Sequence, residues 1–121
     1  MERQSTTVRL TGFLRCLSMD EVAVVERHLG DHIALTRAEP GCLSFAVTQT
    51  ADPLVWRVEE AFADRAAFEE HQTRTRSSAW FAATSHIERD YAVSGVDAVK
   101  GAEVGDETDS GTGTGGSADA P

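Results

Sequence analysis

Four histidines, two cysteines, two tryptophans and one tyrosine are the residues of this 121-residue chain best suited to chemistry near neutral pH. His71 is the leading proton acceptor, because an ordinary imidazole titrates near pH 6.5 and a small shift tunes it to neutral conditions. It falls three residues after Phe68, on one face of an expected helix. Its alternative role is that of a hydrogen-bonded histidine packed against a sheet. Trp80, next to Phe81, offers an indole N–H at the wall of an apolar cavity, or else ordinary core packing. Arg76 has the charge to hold an oxyanion, although a surface position is the commoner fate of an arginine. His28 and His32 stand four apart on one expected helix, a spacing that suits a metal. A zinc-protease helix needs Glu at position 29, where this chain has Leu29, and no third ligand is evident, so no metal is expected. His32 flanks the apolar stripe of that helix and can face a cavity. Glu59 and Glu60 are neighbours on a strand and point to opposite faces, which excludes them as an acid–base pair. Tyr91 shares a strand face with Arg89 and can close the cavity or a dimer contact. Cys16 and Cys42 are too few for a disulfide framework and lack zinc-ligand spacing; Cys42 reads as a small core residue.

These side chains need a scaffold, and the periodicity supplies one. Residues 6–16 alternate around Val8, Leu10, Gly12, Leu14 and Cys16, which predicts a strand with a bulge or close approach at Gly12. Ser18 and Glu21 form a capping box, and Val22, Val25, Leu29 and Ile33 follow at helical spacing. Pro40 and Gly41 end that helix near Ala38. Residues 42–50 alternate again, with Leu43, Phe45 and Val47 on one face. A turn at Ala51, Asp52 and Pro53 leads into a strand over 55–62, with Trp56, Val58, Glu60 and Phe62 on one side. Asp64 caps a second helix running to about Gln72, a short helix carries Trp80, Phe81 and Thr84, and residues 86–94 make a fourth strand. The order is that of an α+β, ferredoxin-like split βαβ fold. Helices cover one sheet face only. The other face also carries apolar residues, such as Phe13 and Ala46, which predicts a homodimer with its sheets face to face.

The formal net charge is -9. Residues 101–121 hold five acids and no base, so residues 1–100 carry 15 acids against 11 bases. That balance excludes a basic nucleic-acid footprint and argues against anionic membrane surfaces. No apolar run approaches the roughly 18 residues that span a bilayer, and no apolar signal core opens the chain, so a cytoplasmic location is expected. Six glycines and one branched aliphatic, Val104, mark residues 101–121 as an expected disordered acidic tail beyond a domain over 1–100.

The run Arg37-Ala38-Glu39-Pro40-Gly41-Cys42-Leu43, then Val58-Glu59-Glu60-Ala61-Phe62, Asp64-Arg65-Ala66-Ala67-Phe68 and His71, resembles the antibiotic biosynthesis monooxygenase domain family. These are small dimeric α/β-barrel proteins that include quinol monooxygenases. The resemblance covers about residues 7–95. Phe62 stands where the family usually has Trp, and Arg76 stands near the place of a second histidine. Haem-degrading relatives rely on Asn, and this chain has none.

The resemblance implies a cofactor-independent monooxygenase acting on an aromatic polyphenol, quinol or polyketide-like molecule, with dioxygen as co-substrate and no metal, flavin or haem. Triplet dioxygen reacts slowly with closed-shell organics, but a deprotonated dihydroxyarene gives up an electron readily. The protein must then supply an apolar cavity, a proton acceptor and donors for the anion. On this reading His71 and Trp80 are catalytic, and His32, Phe45, Phe62, Arg76, Phe81 and Tyr91 bind substrate. An isomerase or cyclase on the same fold, and a non-catalytic small-molecule binding or stress-response protein, are the alternatives.

Overall fold

The computed structural model describes residues 5–95. The expected acidic tail, and the domain boundary at residue 100, lie outside the described residues. In chain order the elements are β1 (Val8–Arg15), α1 (Met19–Arg37), β2 (Cys42–Gln49), β3 (Val55–Phe62), α2 (Arg65–Arg76), α3 (Ala79–Thr84) and β4 (Glu88–Ser94). The strands form one sheet in the order β2-β3-β1-β4, every neighbouring pair antiparallel. This is the ferredoxin-like α+β arrangement that the alternation of strand and helix periods implies.

Each helix starts where a side chain can satisfy its first amides. Ser18 accepts from the Glu21 amide at 3.3 Å, while the Glu21 carboxylate reaches back to the Leu17 amide at 2.7 Å. Asp64 accepts from the Ala67 amide at 2.8 Å and Ser78 from the Phe81 amide at 3.1 Å. α2 continues past Gln72 to Arg76, so Thr75 stays on the helix face that carries Phe68 and His71.

Register decides which side chains meet the helices. Leu10 lies opposite Glu60 on one side and Val93 on the other, and Phe45 lies opposite Glu60 from β2. Val8, Leu10, Leu14, Phe45, Val47, Trp56, Val58, Glu60 and Phe62 are buried, and they share this face. A register irregularity between Cys42 and Ser44 leaves Leu43 58% exposed, off the face that strict alternation gives it. Gly12 is a close approach: its φ is +154°, and a Cβ there would come within 2.1 Å of the Asp90 carbonyl oxygen.

The back face is more charged than the alternation suggests. The Arg15 and Arg57 guanidinium groups lie over the Phe13 ring at 5.1 and 5.9 Å, with Asp90 and Glu59 paired to them at 3.4 Å each. Among the described residues, no helix is long and apolar enough to cross a membrane.

Candidate functional site

The turn after α1 and the inner face of α2 are brought together by Gly41, whose missing Cβ leaves room for Ala67; a Cβ would lie 2.2 Å from that of Ala67. The Gly41 carbonyl accepts from the Ala63 amide at 2.8 Å, and Arg37 donates twice to the Phe45 carbonyl, at 3.1 and 2.7 Å. The result places Glu39 beneath α2. One Glu39 oxygen lies 2.9 Å from His71 Nδ1, and Arg74 Nε donates to the other. Arg74 also donates to Thr36 Oγ1 at 3.0 Å. The Glu39 carboxylate, paired to Arg74, can only accept, so His71 carries its proton on Nδ1. His71 Nε2 is left as an acceptor, 3.4 Å from Thr75 Oγ1 and 3.9 Å from Glu60 Oε1.

Aromatic rings close around this imidazole. Phe62 lies 4.8 Å from it and Phe45 5.9 Å, centroid to centroid. His32 is 5.9 Å from His71, stacks on Trp80 at 4.9 Å with a 5° interplanar angle, and meets Phe45 edge-on at 5.3 Å. His32 therefore belongs to the buried stripe of α1 with Val25, Leu29 and Thr36, rather than flanking it.

The polar atoms of this interior are mostly unspent. Both His32 nitrogens, Trp80 Nε1 and both Glu60 oxygens are buried and have no hydrogen-bond partner among the described residues. Bare buried polar groups cost roughly 1–3 kcal/mol each, and this concentration of them makes the interior the candidate site.

Burial sets the protonation states. It lowers His71 to about 4, against the opposing pull of Glu39, and lowers His32 to about 3, with His71, Arg74 and Arg89 adding to the effect. Both rings are thus neutral at neutral pH. Burial pushes Glu60 well above the usual carboxylate range, with Arg89 opposing and Glu39 reinforcing. Burial also raises the Tyr91 phenol and lowers the Arg89 guanidinium. Cys16 and Cys42 are free, and burial raises both thiols, which keeps them as thiols rather than nucleophilic thiolates.

Of the residues singled out from the sequence, His71, Trp80, His32, Phe45 and Phe62 come together. Tyr91 is half-buried on β4, paired in register with Gly12 and coupled to Arg89. Arg89 itself donates to the Thr84 carbonyl at 2.7 Å, the Ile87 carbonyl at 3.1 Å and Thr84 Oγ1 at 3.0 Å. Phe81 is half-buried beside Trp80 on α3 and stands outside these ring contacts. Arg76 is exposed and reaches Thr73 Oγ1 at 3.5 Å, away from the cluster. Glu39, Arg74 and Glu60 are site residues that the sequence pattern did not assign. Glu60 had a signal: it is an acid at the inward parity of β3, between Val58 and Phe62. Among the described residues no group of three or more His, Cys, Asp or Glu is placed to hold a metal ion. A depression of about 460 Å³ along α2 is lined by Ala66, Glu69, Glu70, Thr73 and Arg74, and not by the buried rings.

The family profile described as antibiotic biosynthesis monooxygenase matches residues 17–83. No curated protein matches the chain. Among solved structures, Rv0793 from Mycobacterium tuberculosis is similar at 23% identity and a TM-score of 0.62, over 74% of this chain and 94% of that one. MupZ from Pseudomonas fluorescens is similar at 15% identity and a TM-score of 0.68, over 80% of this chain and 73% of that one. PA3566 from Pseudomonas aeruginosa is similar at 25% identity and a TM-score of 0.59, over 78% and 96% respectively.

Proposed function

Because the chain belongs to the antibiotic biosynthesis monooxygenase family, we propose that it is a cofactor-independent oxygenase of electron-rich aromatic compounds such as polyphenols, quinols or polyketide-like anthrones. The observation that carries this reading is the joint burial of a histidine dyad and unspent donors among aromatic rings. His71 Nε2 accepts the substrate's phenolic or enolic proton, and Glu39, 2.9 Å from Nδ1, stabilises the imidazolium that forms. Removing water from the site strengthens that pairing. Trp80 Nε1 and the His32 ring supply further polar contacts, while Phe45 and Phe62 enclose the substrate ring.

The chemistry then balances without a cofactor. The substrate anion passes one electron to dioxygen, giving superoxide and a carbon-centred radical. Their recombination forms a C–O bond, and the resulting peroxide takes back a proton from His71. With an anthrone, the reacting CH₂ carbon becomes C=O; the second oxygen atom leaves as water with both hydrogens of that carbon. His71 and Trp80 are buried, so this reading requires α2 or α3 to move for substrate to enter.

The neutral Glu60 carboxyl beside His71 also favours a second reading, an isomerase or cyclase that enolises a ketone without using oxygen. Oxygen uptake separates the two. With 1,8-dihydroxyanthrone, metal-free protein should consume one dioxygen per substrate in excess of autoxidation, and no uptake above the buffer rate would leave the enolising reading. We also read the back face of the sheet as a homodimer contact centred on Phe13. The same preparation should sediment as a dimer at micromolar concentration, and a monomer mass would remove that assignment.

A further inference from the structure

Glu60 is the one acid placed at the inward parity of β3. Its side chain is 0% exposed, and neither of its oxygens has a hydrogen-bond partner among the described residues. Its Oε1 lies 3.9 Å from His71 Nε2. That gap is too long for a direct hydrogen bond. It brings the two atoms near enough to share one hydroxyl oxygen, at about 2.8 Å from each once they part by roughly 0.7 Å. We propose that Glu60 is a substrate-binding residue that donates a hydrogen bond, from its carboxylic acid form, to the same substrate hydroxyl oxygen that gives its proton to His71. This inference rests on the reading of the cluster as the substrate site, and it assigns that site its ligand class: a neutral phenol or enol, not a carboxylate.

The surroundings of Glu60 support the acid form. Phe45 of β2 and Leu10 of β1 flank it in register and carry no charge. His71 of α2 is neutral, and so is His32 of α1, for the reasons of burial given above. Glu39, from the turn after α1, acts to keep the proton on Glu60, while Arg89 of β4 acts to remove it; burial outweighs both. Tyr91 of β4 feels Glu60 and is itself held in its neutral form. The guanidinium groups bordering the cluster are engaged, Arg37 by the Phe45 carbonyl, Arg74 by Glu39 and Thr36, and Arg89 by Thr84 and the Ile87 carbonyl. An anionic ligand would therefore meet a buried carboxyl in place of a cation, whereas a neutral hydroxyl finds both a donor and an acceptor. As the proton leaves for His71, the hydrogen bond from Glu60 strengthens on the oxyanion that remains.

The test uses 2-naphthol, which reports its own ionisation by absorbance, under nitrogen so that no oxygenation takes part. Bound to the wild-type protein, it should ionise at lower pH than free in solution. Glu60→Gln keeps an N–H donor at the same place and should leave the midpoint close to that of the wild type. Glu60→Leu keeps the packing but removes the donor, and should raise the midpoint by about one pH unit or more. 2-Naphthoate should bind at least ten-fold more weakly than 2-naphthol. A folded Glu60→Leu protein with the wild-type midpoint would overturn the proposal, as would tighter binding of the carboxylate or no binding of 2-naphthol at all. Absence of oxygen uptake with a Glu60-dependent midpoint would instead sustain the proposal and remove only the oxygenase reading.

Discussion

Replacing His71 with Asn should lower turnover of a dihydroxyanthrone by about 10²-fold or more, the range usual for a general acid–base group. Asn is the informative choice because the His71 side chain is 0% exposed and hydrogen-bonded. An alanine would leave a cavity and one Glu39 oxygen without its partner, at a cost of roughly 2–5 kcal/mol. The Asn amide N–H can take the place of Nδ1–H toward Glu39 while removing the Nε2 lone pair. The fold should therefore survive, as read by circular dichroism and sedimentation, and the rate should not. A folded His71→Asn protein with undiminished turnover would mean that the substrate loses its proton elsewhere.

Acid should unfold this domain unusually early. The folded state holds His71 at about 4 and His32 at about 3, whereas an unfolded chain protonates both near 6.5. Below pH 6.5 the unfolded state thus binds protons that the folded state refuses, so stability falls as pH falls, and the loss ends only near pH 3–4. At about 1.4 kcal/mol for each pH unit of depression, the two rings together withdraw on the order of 5–8 kcal/mol, comparable with the whole stability of a small domain. Glu60 acts in the opposite sense. Its folded value is raised, so it contributes stability below about pH 4.5 that is lost as pH rises. Above pH 4.5 it therefore opposes the histidine slope, and near pH 4 the folded state begins to take up the His71 proton. Urea unfolding between pH 7.5 and 4 should show this profile, and His32→Leu should remove about one proton from the slope. A stability that stays flat from pH 7.5 to 4.5 would contradict the neutral, buried state assigned to both rings.

The sequence made the scaffold legible because strand and helix periods are strong signals. The alternation in β1 and β3, the caps at Ser18 and Asp64, and the stop at Pro40 and Gly41 all correspond to features of the structure. What failed locally was strict alternation in β2, where a one-residue irregularity moves Leu43 outward. β4 begins at Glu88, two residues later than the pattern suggests, because Ile87 closes a turn onto the Thr84 carbonyl. The candidate site was only partly legible. His71 and Trp80 stand out by residue type, but the partner of His71 is 32 positions away in a turn, and no periodicity reports such a contact. Adjacency on a strand excludes a pair between Glu60 and Glu59; the neighbour of Glu60 in space is His71, on a different element. Sequence position suggests Arg76, but the helix phase turns it to solvent while Arg74 turns inward.

The claim at the centre of this account is that a buried His71–Glu39 dyad ionises a bound phenol before oxygen takes part. Rapid anaerobic mixing with 1,8-dihydroxyanthrone measures that step alone. The wild-type protein should develop the absorbance band of the substrate anion at neutral pH, the band should decay when dioxygen is admitted, and His71→Asn should show neither change. No anionic band with the wild-type protein, or an equal band with His71→Asn, would contradict the account.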